Sequence, residues 1–73
     1  DSFIIDGTTT IRELNKALNF DLPITGPKTF SGLIIESLEA IPESNVCLKI
    51  EDYQVEILKV RANTIASAKI KKA

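Results

Sequence analysis

The chain has 73 residues, a formal net charge of −1, 44% hydrophobic residues, one cysteine and no histidine, methionine or tryptophan. That describes one small domain with one core, and it excludes an internal disulfide, any histidine-based acid, base or triad, and a zinc site of nitrogen and sulfur ligands. No apolar run approaches the roughly 18–20 residues of a membrane span, so direct membrane insertion is not expected.

Phe3-Ile4-Ile5 predicts a short strand, stopped by Asp6-Gly7. Thr8-Thr9-Thr10 then supplies oxygens for a helix start. Thr10 and Glu13 have capping-box spacing, with Thr9 the alternative cap. Ile11, Leu14, Ala17 and Leu18 recur at helical spacing and predict one apolar face, leaving Arg12, Glu13, Asn15 and Lys16 to water. Asn19 suits a left-handed helix end, and Phe20 and Leu22 are expected to fold back onto the core before Pro23. Ile24 to Lys28 contains Gly26-Pro27; it reads as a loop and as the segment expected to be most mobile.

Thr29 is placed to cap a second helix, with Phe30, Leu33, Ile34, Leu38 and Ile41 as its buried stripe and Ile35 widening it. Gly32 costs that helix about 1 kcal/mol against alanine. Its presence implies a close approach by a backbone or a ligand, with a strand under the helix the expected neighbour. Pro42 disfavours helical geometry at Ile41, so the helix is expected to run to that point. Asn45 suits a turn with positive φ. Val46 to Ile50 alternates as a strand, Glu51-Asp52 turns, and Tyr53, Val55 and Ile57 continue on the return strand. Leu58 and Val60 then sit on the opposite phase, which predicts a β-bulge or a strand that changes faces. Ala62-Asn63 is a second turn, and Thr64 to Lys71 a last strand with Ile65 out of phase with Ala68 and Ile70. The order is β-α-α-β-β-β, an α+β domain with two helices on a mainly antiparallel sheet.

Little in this pattern carries chemistry. Cys47 falls mid-strand with nothing to activate it and is expected to pack as a small hydrophobe; a single cysteine also fits a reducing compartment. The start of the second helix, at Thr29, Ser31 and Gly32, is the nearest thing to an anion cradle, but no G-x-G-x-x-G or Walker loop accompanies it. Glu51, Asp52 and Glu43 offer oxygens to a hard cation without organised spacing; they read as solvated turns, and no metal site is assigned. No residue set supports general acid–base catalysis, so no enzyme is expected. Residues 1–56 carry 10 acids and 4 bases, whereas Lys59, Arg61, Lys69, Lys71 and Lys72 stand in residues 57–73 without an acid. That basic end lacks interleaved aromatics, which argues against nucleic acid. Its lysines are expected to guard an exposed strand edge and the chain end.

Three pieces in this order resemble one family. They are Phe3-Ile4-Ile5-Asp6-Gly7 before Leu14-Asn15-Lys16-Ala17-Leu18; Thr29-Phe30-Ser31-Gly32-Leu33-Ile34 with Ile41-Pro42; and Tyr53 to Val60 followed by Ile65 and Ile70. Together they resemble the transporter-associated domain of CorC/HlyC-type proteins over nearly the whole chain, 1–73. That family usually has glycine where Glu39 and Asn45 stand. Asn45 can fill the same backbone role, and Glu39 is expected to let the helix run longer.

The resemblance implies a cytoplasmic regulatory module at the C-terminus of a membrane protein linked to magnesium and cobalt efflux, behind a paired CBS module and a membrane domain. A chain that opens on Asp1 and has no methionine is expected to be a piece of such a protein. The implied partners are the CBS and membrane domains of the same parent, with a homodimer allowed. The resemblance also implies a fold similar to a half-unit of the FAD-binding domains of certain oxidases, which makes FAD the alternative ligand. Otherwise no cofactor is expected. The contact surface is expected on the second helix and the basic last strand, at Thr29, Ser31, Gly32, Lys69, Lys71 and Lys72.

Overall fold

The computed structural model describes residues 2–40 and 42–73. The chain runs β1 (Ser2–Asp6), α1 (Ile11–Leu18), α2 (Phe30–Leu38), β2 (Cys47–Ile50), β3 (Tyr53–Arg61) and β4 (Thr64–Lys72). Two helices cover one face of a four-stranded antiparallel sheet in the order β1-β4-β3-β2.

Helix α1 begins with the capping box that its sequence encodes. The Glu13 amide donates to Thr10 Oγ1 at 3.1 Å, and the Thr10 amide reaches back to Glu13 Oε1 at 3.4 Å. Asn19 ends it in left-handed geometry, φ 57° and ψ 41°. An eight-residue helix is too short to hold alone; burial of Ile11 and Leu14 stabilises it. Ala17, expected on that face, is exposed. Asn15, expected in water, is half-buried and holds Leu22 at both ends. Its Nδ2 donates to the Leu22 carbonyl, and its Oδ1 accepts from the Leu22 amide, each at 3.0 Å. This clamp brings the chain back so that Leu22 enters the core.

Helix α2 stops at Leu38, earlier than the sequence predicts. Glu39 takes φ 54° and its amide donates to the Ile35 carbonyl at 3.0 Å. An acidic residue thus performs the left-handed turn that favours glycine, and the helix is ended rather than extended there. Ile41, placed in the buried stripe by its spacing, lies outside the described residues. Phe30, Leu33 and Ile34 are buried as expected, and Asn45 has φ 67°.

The phase switch in the last hairpin has a definite cause. Pairing runs regularly from Tyr53↔Lys72 to Ile57↔Ala68, then jumps to Lys59↔Ser67 and again to Val60↔Ile65. Leu58 is an extra residue on β3 and Ala66 one on β4, so the two bulges cancel. The hairpin closes at Arg61↔Thr64 through Ala62 (φ 50°) and Asn63 (φ 63°), the doubly positive pattern of a tight two-residue turn.

Two sequence expectations fail here. β4 lies inside the sheet, paired to β1 on one side and β3 on the other, so its lysines guard no edge. Cys47 is exposed. Strand alternation turns Leu48 and Ile50 toward the helices and Cys47 and Lys49 away from them. The core closes around Phe30, Ile34, Ile57, Ala68 and Ile70.

Candidate functional site

The start of α2 is where the sequence places an anion cradle, and the structure fills it with the chain itself. The Phe30 amide donates to the Thr9 carbonyl at 2.9 Å, Ser31 to Gly7 at 2.9 Å, and Leu33 to Thr29 at 3.0 Å. The Gly32 amide donates to Thr29 Oγ1 at 3.2 Å. Donors that a helix start normally leaves free are therefore committed. Ser31 Oγ faces the sheet and accepts from the Ile65 amide at 2.9 Å, at a point on β4 where β1 has ended. The Ile11 amide donates to the Lys28 carbonyl at 2.8 Å, so both helix starts are tied together.

A glycine makes this junction fit, but it is Gly7. A Cβ there would lie 1.8 Å from the Ile65 carbonyl oxygen and 3.1 Å from Ser31 Cβ. Gly7 needs no positive φ; it is required by the close crossing of two backbones. Gly32, expected against a strand, instead faces the Pro27 side chain: a Cβ added to Gly32 would lie 3.0 Å from Pro27 Cβ. The loop 24–28 therefore packs across the first turn of α2 through Pro27.

The outer face of the sheet carries no helix. Lys69 and Lys71 point there, because Ala68 and Ile70, which alternate with them, point into the core. Lys69 Nζ stands 3.7 Å from Glu56 Oε1, an exposed pair worth at most about 1 kcal/mol. With Cys47, Lys49 and Gln54 these residues line an open concavity of about 550 Å³. Lys72 shares the phase of Ile70 and is exposed at the end of the strand. The six residues expected to form one surface thus divide: Thr29, Ser31 and Gly32 belong to the helix layer, Lys69 and Lys71 to the opposite face, and Lys72 to a strand end.

Glu51 and Asp52 occupy the β2–β3 turn and Glu43 the connection before β2. Among the described residues, no three of His, Cys, Asp and Glu converge to hold a metal ion. No helix among them is long and apolar enough to cross a membrane. What sequence reasoning missed is β1 as a surface. Ile4 is 70% exposed and Phe3 40%. The available signal was a strand apolar at successive positions, so that one residue had to face outward.

This arrangement has close counterparts. The family model for the transporter associated domain, CorC_HlyC, matches residues 1–73. The inner membrane protein YfjD of Escherichia coli (strain K12), a UPF0053 protein, is 44% identical over 69 residues, which is 94% of this chain and 16% of that protein. A functionally unknown conserved protein from Haemophilus influenzae Rd KW20 has a solved structure with 42% identity and a TM-score of 0.93, over 99% of this chain and 89% of that one. The corresponding domain of a Xylella fastidiosa Temecula1 hemolysin, solved in complex with Mg²⁺ and Mn²⁺, gives 25% identity and a TM-score of 0.83, over 99% and 87% of the two chains. By sequence over its whole length, and by fold, the chain belongs to the transporter associated domain family, CorC_HlyC.

Proposed function

We propose that this domain is a non-catalytic regulatory attachment of a membrane ion transporter of the magnesium and cobalt efflux type. It acts by contact at the cytoplasmic face, docking on the CBS and membrane domains of its parent protein and pairing with a second copy. Regulation then requires contacts that differ between transport states.

The observation that carries this reading is the family match over residues 1–73, set beside a membrane relative of which the chain covers 16%. A domain that small within its relative fits an attachment. The chemistry supports the same view. The chain has no histidine, and the donors at the start of α2 are bound internally. Among the described residues of this chain, no three of His, Cys, Asp and Glu converge as a donor set for ions such as the Mg²⁺ and Mn²⁺ of the Xylella relative. FAD, the alternative ligand, finds no supporting contact at α2.

The test is ion transport by the full-length parent protein with and without residues 1–73, in vesicles loaded over a range of Mg²⁺ and Co²⁺ concentrations. The expected result is a protein that still assembles but whose transport responds differently to ion concentration. Unchanged transport and unchanged assembly overturn the reading.

A further inference from the structure

The two edges of the sheet are not alike. β2 is four residues long and carries Lys49, both of which discourage pairing with another strand. β1 is five residues long and carries no lysine, arginine, proline or bulge. It also holds Phe3 and Ile4, two of the three large hydrophobic side chains left exposed among the described residues. An unblunted apolar edge of this kind is a template for another strand.

The direction of its free backbone groups follows from the register. The Gly7 amide donates to the Ala66 carbonyl at 2.9 Å, just past the Asp6↔Ser67 pair. Antiparallel alternation then turns the backbone groups of Phe3 and Ile5 toward β4 and leaves on the open edge the N–H groups of Ser2, Ile4 and Asp6 and the C=O groups of Ser2 and Ile4, the Asp6 carbonyl already accepting from the Thr9 amide at 3.1 Å.

We propose that β1 is a homodimer interface, in which two copies pair antiparallel about a two-fold axis through Ile4 to form one continuous eight-stranded sheet. The occupant is a second copy because this strand is complementary to itself. Such an axis sets Ile4 opposite Ile4, Phe3 opposite Ile5, and Ser2 opposite Asp6. The two Ile4 residues then exchange both their hydrogen bonds and each Asp6 amide meets a Ser2 carbonyl, the aromatic faces a β-branched residue, a hydroxyl faces the carboxylate, and no like charges stand directly opposite. The interface is small, so the dimer belongs to the weak, reversible class. The proposal rests on the pairing of copies suggested above and not on the ion transported.

The experiment is sedimentation equilibrium of the isolated 73-residue chain from micromolar to millimolar concentration, with two variants. A solved relative of similar extent, 89% of which this chain covers, shows that such a piece folds alone. Ile4→Lys sets two cations against each other across the axis. Ile4→Pro removes the central open-edge donor and leaves the β4 pairing intact, as edge strands allow. Circular dichroism confirms that each variant folds. The expected result is a concentration-dependent dimer whose dissociation constant rises at least tenfold in both variants. A chain that stays monomeric to millimolar concentration overturns the proposal, as does a dimer that both variants leave unchanged. Either negative result is separate from the transport experiment on the parent protein.

Discussion

The junction at the start of α2 and the open edge of β1 are joined by Gly7, yet they are opposites. At the junction every helix-start donor from Phe30 to Leu33 is used, and a single methyl group on Gly7 would collide with the Ile65 carbonyl. At the edge, alternate donors face outward and Ile4 is largely in solvent. The junction carries the motif that stands out in the sequence, and it is closed. The edge has no motif, and it is free to meet a partner. Prominence in sequence here tracks a demand for close packing, and the proposed contact with a second copy falls on residues the fold can spare.

Substitutions at the two places separate them sharply. Gly7→Ala has the largest expected effect: the added Cβ meets backbone that cannot rotate away, and stability falls by about 3 kcal/mol or more. In a domain this small that lowers the melting temperature by roughly 12–24 °C, read by thermal unfolding. Ser31→Ala removes the acceptor of the Ile65 amide and costs about 1–3 kcal/mol, read by urea denaturation. Thr29→Ala removes the α2 cap and costs about 1 kcal/mol. Gly32→Ala is expected to change stability by less than about 1 kcal/mol, since better helix propensity offsets a tight contact with Pro27. A larger loss at Gly32 than at Gly7 would reverse the roles given to these two glycines. Smallest of all, Ile4→Lys is expected to shift monomer stability by no more than about 0.5 kcal/mol, although it is expected to weaken pairing at least tenfold.

How much of this was legible depends on how local each cause is. The Thr10–Glu13 box, the Asn19 stop and the two-residue turn at Ala62-Asn63 follow from neighbours in sequence and could be read there. The bulge was visible as a parity break at Leu58 and Val60, though not that Ala66 would cancel it. Strand order was not legible. β4 becomes an inner strand only because β1, from the far end of the chain, lies beside it. That one non-local pairing moved Lys69 and Lys71 from a supposed edge to an open face. It also set Ile65 where Ser31 and Gly7 meet it. Asn15 was misjudged for the same reason, since its partner Leu22 is reached only after the chain turns back. Glu39 was misread because a non-glycine residue in left-handed geometry leaves little trace in sequence.

Amide hydrogen exchange of the isolated chain, followed residue by residue at low and high protein concentration, tests most directly whether the domain works by edge contact while its helix start stays closed. The amides of Phe30, Ser31, Gly32 and Leu33 are predicted to be protected at every concentration. Those of Ile4 and Asp6 are predicted to exchange quickly when dilute and to become protected as concentration rises. Fast exchange at the start of α2, together with concentration-independent exchange at Ile4 and Asp6, would contradict both halves of that claim.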